Sequence, residues 1–416
     1  MAQRVNRRTV LAGSALGVGA LAAGCSAEGA RRQAGGNGAA ESADAPAPAP
    51  SSGSPAQLAG AIVPFDGQHQ AGVDTASQAH LNLVGFNLLP TAGQREARNL
   101  MRLWTEDARA LCTAEAPLGS LEPEMVRIPA NLTITCGWGE GFFHAAGIDA
   151  PEWLGPVKEF SLDQLRPEWG QTDVVLQICG DDAVTTAHAM RHMVRAAKAY
   201  AAVAWVQQGF LNAYGALEKG ATPRNLFGQK DGTVNPRSPE EFAQQVWIPH
   251  GRFAGGTAMV VRRIAMNLDT WEELDRTARE VSVGRDLVEG APLGAEGEFD
   301  PVDLEARDRF GLRAIDPTSH VALAHPPAQA PEQKLLRRPY NYDLAPDEFT
   351  RASGQLSNAG LVFICFQQDP RSQFEPIQQR LNDADQLNTW TTHIGSSMYY
   401  VPAGTSRDTS WGEHLL

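Results

Sequence analysis

Val174-Val175-Leu176-Gln177-Ile178-Cys179 runs into Asp181-Asp182 and then into a helical pattern carrying His188 and His192. Much later, Leu361-Val362-Phe363-Ile364-Cys365 runs into Gln368-Asp369-Pro370 and a second helical pattern starting near Ser372. Each is a short apolar run of strand length, followed by an acidic turn that can cap the next helix. The recurrence predicts a duplicated α+β module: an antiparallel sheet with helices on one face and a pocket between sheet and helices. Working outward, strand-like runs are expected at His80–Leu89, Asn131–Cys136, Asp173–Cys179, Gly256–Ile264, Gly360–Phe366 and Ser397–Val401. Apolar residues at helical spacing mark Gln94–Ala114, a long Val184–Phe210, Thr270–Val281 and Phe374–Leu381.

A chain of 416 residues has room for two domains and for a core that can bury a cofactor. Its 35 Lys and Arg against 48 Asp and Glu leave a net charge of −13. That balance argues against partners recognised through phosphates, nucleic acid above all, and against anionic lipid. Five cysteines without a CxxC spacing exclude a disulfide scaffold and the usual zinc ribbons. Cys136, Cys179 and Cys365 lie in apolar strands and read as buried thiols.

The first 57 residues read as an address and a tether. Asn6-Arg7-Arg8-Thr9-Val10-Leu11 precedes a weakly apolar stretch from Leu11 to Gly24, too short to span a membrane as a stable helix. The paired arginines resemble a twin-arginine (Tat) signal, whose cargo crosses the membrane folded and often with its cofactor inserted. Export out of the cytoplasm follows. Leu21-Ala22-Ala23-Gly24-Cys25 resembles a lipobox, with Ala22 where Leu is usual, so a lipidated Cys25 and ordinary cleavage near Ala22–Gly24 both stay open. Residues 1–25 are then the signal, and 26–57 an Ala/Gly/Ser/Pro spacer that cannot bury enough to fold. The folded part divides into 58–222 and 223–416.

Several motifs have plain structural readings. Gly137-Trp138-Gly139-Glu140-Gly141 lacks a βαβ context, and Trp138 and Glu140 sit where a phosphate would approach, so it reads as a tight turn. His188 and His192 share a helix face but lack a third ligand, which favours packed histidines over a metal site. Arg224-Asn225-Leu226-Phe227-Gly228-Gln229-Lys230-Asp231-Gly232-Thr233 could be a simple turn. Asp316-Pro317-Thr318-Ser319-His320 continues into Val321-Ala322-Leu323-Ala324-His325-Pro326, with two histidines in an apolar stretch. Leu335-Leu336-Arg337-Arg338-Pro339 sets two arginines behind apolar residues, where a guanidinium needs an anionic partner.

Taken in order, the GxxDG loop at Gly228–Gly232, His320 and Arg337 resemble the dye-decolourising peroxidase family, and within it the Tat-exported branch that includes deferrochelatase/peroxidases. Further similarity lies in His69-Gln70-Ala71-Gly72, Gly255-Gly256-Thr257 with Arg262-Arg263, and Gly284-Arg285 with Ala291-Pro292-Leu293-Gly294. Gln368-Asp369-Pro370-Arg371 with Gln373-Phe374, and Thr392-His393-Ile394-Gly395-Ser396 ahead of Val401-Pro402, extend it over nearly all of residues 62–404.

The resemblance implies two ferredoxin-like domains and one haem b per chain, held in the C-terminal domain. His320 would be the proximal iron ligand, with Asp385 as the carboxylate accepting its other ring N–H. Asp231 would move a proton from the iron-bound to the outer oxygen of peroxide, and Arg337 would stabilise the leaving oxygen and help hold Asp231 ionised. The product, a ferryl porphyrin radical, is the cofactor's chemistry. Gly232, Thr233, Val234, His325, Pro326, Pro327 and Arg337 would line the haem, and Leu361 and Phe363 would roof its distal side. The chain departs from the family at Gln229, where an apolar residue is usual, and at His325-Pro326-Pro327, where Asn-Pro-Arg is frequent; the missing arginine removes one propionate contact that His325 would partly replace.

A carboxylate rather than an imidazole as distal base predicts activity persisting towards pH ~4. Trp390, Tyr399, Tyr400 and Tyr342 are candidate relays to bulky donors, although such aromatics are usually core. Expected partners are hydrogen peroxide and a small-molecule electron donor. A membrane tether through Cys25, partners in an iron-uptake system and a homo-oligomer stay open. Two rival activities use the same features: deferrochelation, releasing iron with the porphyrin intact, and haem binding or delivery without catalysis. Axial ligation needs neither Asp231 nor Arg337, so their presence argues against delivery alone.

Overall fold

The computed structural model describes residues 59–352 and 356–416; the signal, Cys25 and the whole spacer lie outside the described residues. In the first half the chain runs β1 (His80–Leu88), α1 (Gln94–Cys112), β2 (Thr133–Trp138), α2 (Glu140–Ala146), β3 (Val174–Gly180), α3 (Ala183–Ala197) and β4 (Ala201–Phe210). Its strands lie in the order β2-β3-β1-β4, every neighbour antiparallel.

The second half runs α4 (Pro239–Gln245), β5 (Thr257–Met266), α5 (Leu268–Trp271), α6 (Arg276–Val283), α7 (His320–Ala324), β6 (Leu336–Arg337), β7 (Tyr340–Leu344), α8 (Glu348–Ala352), β8 (Asn358–Gln367), α9 (Phe374–Ala384) and β9 (Thr391–Val401). Here β9 pairs with β5, β5 with β8, and β8 with both β6 and β7, again antiparallel. The pairs Leu336↔Phe366, Arg337↔Cys365 and Tyr340↔Val362 keep one register along β8, so β6 and β7 are one strand interrupted at Pro339, which has no N–H to give the ladder. The halves meet at Trp138↔Tyr400 and Phe210↔Asn341, and the sheet closes into a barrel-like arrangement with helices outside. All described residues belong to one compact unit.

Strand alternation sorts the side chains. Leu81, Leu83, Val175, Met259, Val261, Val362, Ile364 and Tyr399 pack together on one face. On the other face Val84, Phe86, Ile134, Leu176 and Ile178 meet α1 and α3 through Leu100, Met101, Trp104 and Met193. Fully burying each such side chain contributes about 1.5–3 kcal/mol. The repeat seen in sequence is β3–α3 and β8–α9. Asp182 caps α3 by accepting from the Thr185 N–H at 2.7 Å, whereas Asp369 accepts from Arg371 N–H at 2.7 Å in the turn ahead of α9.

Three expectations need correction. The long helix read over Val184–Phe210 ends at Ala197, and its remainder is β4. The Ala-rich stretch masks a period-two burial of Trp205, Gln207 and Gly209, and pairing along all of β1 overrides helix propensity. The helix read over Thr270–Val281 is two pieces, because Asp275 starts α6 by accepting from Ala278 N–H at 2.8 Å. β6 and β7 were not expected, since Pro339 and paired arginines interrupt the strand pattern.

Candidate active site

His320 opens α7, and the preceding residues set its direction. Asp316 Oδ1 accepts from the Thr318 N–H at 2.8 Å and its hydroxyl at 2.6 Å, and Ser319, fully buried, is the N-cap. His320 Nδ1 lies 2.6 Å from Asp385 Oδ2. Asp385 ends α9, and its Oδ1 accepts from Leu387 N–H at 2.9 Å, so both carboxylate oxygens are held. Gln386 is tied to Thr318 by two hydrogen bonds, which locks the Asp385 turn to the start of α7. Burial pushes the His320 pKa down, but the charge and hydrogen bond of Asp385 outweigh it and hold the ring above its ordinary 6.5. With Nδ1 engaged, Nε2 is the nitrogen left to ligate.

Arg337 lies on β6 opposite Cys365, and its Nη1 stands 3.1 Å from Asp231 Oδ1. That oxygen is shielded from solvent and lies off the hydrogen-bonding direction of the guanidinium, so it has charge compensation but no bonded donor. Asp231 Oδ2 accepts a long 3.4 Å bond from Asn225 Nδ2. The Arg337 backbone is clasped by Asn235, whose Oδ1 accepts from Arg337 N–H at 2.9 Å while its Nδ2 donates to Arg337 O at 2.6 Å. The neighbouring Arg338 leaves the opposite face of the strand and bonds the backbone carbonyls of Thr75 and Ala76 and the Gln78 side chain. Alternation therefore gives one arginine to the site and the other to the fold.

The charges of Arg337 and Asp231 both reach His320, so these three side chains share one region. Gly232 takes φ +124°, a conformation that glycine tolerates, while Thr233 is buried and Val234 exposed. Leu361 is buried beside Phe227, Met266 and Trp271, and with Asp231, Asn225 and Asn341 it lines a cavity of about 10 Å³. Phe363, on the same face of β8, packs near Phe374. His325 closes α7 and is exposed, ahead of half-buried Pro326 and Pro327; burial, Lys334 and Arg380 lower its pKa. Residues that sequence reasoning missed are Asn235, Asn225 and Glu298, polar loop residues that no spacing distinguishes.

The plain readings fare as follows. Gly139 and Gly141 sit where an added Cβ would meet the Thr172 carbonyl at 2.2 Å and the Asp173 carboxylate at 1.8 Å, a packed turn. His192 Nε2 bonds Asp107 at 3.0 Å with Arg195 on its other nitrogen, and His188 stands near Glu122. Of the four relay candidates, Tyr342, Tyr399 and Tyr400 are buried core and Trp390 is half-buried, stacked edge-on against Trp271. Cys112, Cys136, Cys179 and Cys365 are buried free thiols, and burial raises all four. Among the described residues no cluster of three or more His, Cys, Asp or Glu could hold a bare metal ion. A single carboxylate-braced imidazole suits instead the axial position of a metal that brings its other ligands with it.

Comparison with known proteins gives a consistent set of relatives. Residues 70–211 match the family model described as Dyp-type peroxidase, N-terminal, and residues 222–406 match Dyp-type peroxidase, C-terminal. The chain is 37% identical over 355 residues to a dye-decolorizing peroxidase of Thermobifida fusca (strain YX), covering 80% of each. It is 32% identical over 376 residues to the deferrochelatase of Escherichia coli (strain K12), covering 85% of this chain and 87% of the relative. Among solved structures it is similar to a DyP-type peroxidase from Cellulomonas bogoriensis, with TM-score 0.81, 44% identity, and coverage of 86% of this chain and 98% of the other. Ferric DtpA from Streptomyces lividans superposes with TM-score 0.82 at 36% identity over 88% of this chain and 99% of the other.

Proposed function

The chain belongs to the Dyp-type peroxidase family, and on that premise we propose that His320, Asp231 and Arg337 are the working residues of a haem b site in its C-terminal half. The enzyme is an oxidoreductase that uses hydrogen peroxide as acceptor and an organic donor as reductant. Bound haem would supply the redox chemistry at its iron.

In this reading His320 Nε2 would hold the haem iron, and Asp385 would fix the tautomer and make the imidazole a better donor. Asp231 would take a proton from incoming peroxide at Oδ1 and give it back to the other oxygen of the same molecule, and Arg337 would stabilise negative charge on that oxygen. The observation that carries this is Asp231 Oδ1: shielded, 3.1 Å from a guanidinium, and without a hydrogen-bond donor of its own. Such an oxygen has a cation beside it and a lone pair free to accept a proton. Gly232, Thr233, Val234, His325, Pro326, Pro327, Leu361 and Phe363 would form the walls.

The same strand order in each half, with one helix after the third strand of each, supports reading 58–222 and 223–416 as duplicated ferredoxin-like domains. Arg7-Arg8 and the apolar stretch behind them support export by the Tat route, and Cys25 is the candidate lipid anchor; mass spectrometry of the mature N-terminus separates lipidation from simple cleavage. Partners in iron uptake and a homo-oligomer remain part of the proposal.

The test is an absorption spectrum of haem-loaded protein before and after one equivalent of peroxide at pH ~4–5. A rapid Soret change that a dye donor reverses, and that Asp231→Asn slows, supports the assignment. Full activity only above pH ~7 would remove Asp231 as the base. The similarity to a deferrochelatase keeps a second reading in play: release of iron with the porphyrin intact. Free protoporphyrin after incubation with haem and no peroxide would favour it.

A further inference from the structure

The Asp231 loop is fastened by a segment some sixty residues away. Glu298, only 9% exposed, receives Lys230 Nζ on Oε2 at 2.7 Å. Its Oε1 accepts from the hydroxyls of Thr222 at 2.5 Å and Thr233 at 3.0 Å. One carboxylate thus binds residues on both sides of the Asp231-Gly232 pair. The same segment adds backbone acceptors: Arg224 donates to Leu287 O at 2.9 Å and Val288 O at 2.8 Å, and Arg285 Nη1 donates to Gly290 O and Glu298 O at 2.6 and 2.9 Å.

Lys230 is the reason this matters. It precedes Asp231 in the chain, and a free ammonium there would compete with Arg337 for the carboxylate. Its stem runs over Gly290, where an added Cβ would stand 2.8 Å from Lys230 Cδ, and this path delivers Nζ to Glu298. We propose that Glu298 is a positioning residue for the peroxide reaction: it takes up the Lys230 ammonium and pins Thr222 and Thr233, so that Arg337 is the cation that Asp231 faces. Burial would push the Glu298 carboxyl up, but its bonds to Lys230, Thr222 and Thr233 outweigh that and keep it below its ordinary range, consistent with a clamp that is charged at neutral pH.

The inference rests on the peroxidase reading, and the experiment separates the two. Full-length haem-loaded protein is compared with Glu298→Gln, Glu298→Ala and the double variant Glu298→Gln/Lys230→Met. Rates of reaction with peroxide and of cyanide association are measured alongside haem affinity, donor KM and Tm. Cyanide enters as a protonated acid and must lose its proton, so it reports the distal base without turnover. Misplacing Asp231 by about an ångström is expected to slow both rates roughly 10–100-fold in the single variants. Haem affinity and donor KM should stay within about twofold, and the double variant should recover to within about threefold of wild type because it carries no stray ammonium. If wild-type protein itself does not react with peroxide, the peroxidase reading fails. If wild type reacts but the variants keep its rates, or lose haem affinity and Tm in step with rate, or gain nothing from Lys230→Met, the role of Glu298 is overturned.

Discussion

The two halves of the sheet share a strand order but are covered differently. Over β1–β4 the long helices α1 and α3 press an apolar face onto the strands, and Leu100, Met101, Trp104 and Met193 are fully buried. Over β5–β9 the stretch between β5 and β6 is a long run of short helices and turns, and this half of the chain carries charged and polar pairs: His320 with Asp385, Arg337 with Asp231, Lys230 with Glu298. One repeat is packed for stability; the other keeps ionisable groups near apolar walls, where charge is costly to bury and chemically useful.

Substitutions on the two sides should therefore separate rate from stability. The largest effect is expected from Asp231→Asn, which should slow the peroxide reaction by roughly 10²–10⁴-fold, read by stopped-flow, while the donor KM is unchanged. Trp104→Ala in the first half should do the reverse. It should cost about 3–5 kcal/mol in denaturant unfolding, with the peroxide rate per folded haem-loaded molecule unaltered. A rate loss in that variant would mean the halves are not functionally separate. Asp385→Asn, which removes the charge behind His320, should weaken haem retention by roughly 10–100-fold, measured as transfer to a haem-free globin.

The smallest expected effect is in pH. The Glu298 carboxyl is held below its ordinary 4.5 in the folded chain. Its contribution to stability is therefore fully present above pH 4.5 and is lost as pH falls through the folded value. Unfolding free energy measured from pH 6 down to about 3 should decline less steeply in Glu298→Gln than in wild type. Equal slopes would show that the clamp contributes nothing to acid stability.

Much of this was legible locally. The strand–turn–helix repeat, the cap at Asp182 and the buried cysteines follow from patterns a few residues long. The ordered motifs around Asp231, His320 and Arg337 carried the family. What failed has a common cause. β4 reads as helix because its alanines favour it, and only pairing with β1 selects the strand. Tyr342, Tyr399 and Tyr400, weighed as relays against core packing, are core, because both faces of the closed sheet are covered. Asn235 and Glu298 carry no motif, and their importance arises from partners 102 and 65 to 76 residues distant.

By itself the sequence determined which residue types were available and where helices could start, because capping and periodicity act over one or two turns. It also placed Arg337 and Arg338 side by side, and only the resemblance to a known family set Arg337 apart. The tertiary structure decided that Arg337 meets Asp231 while Arg338 bonds to Thr75, Ala76 and Gln78, and that Asp385 is the carboxylate behind His320. The reason is physical. A buried charge is tolerated only where a partner has been brought to it, and closing the sheet brings together side chains that no local pattern connects.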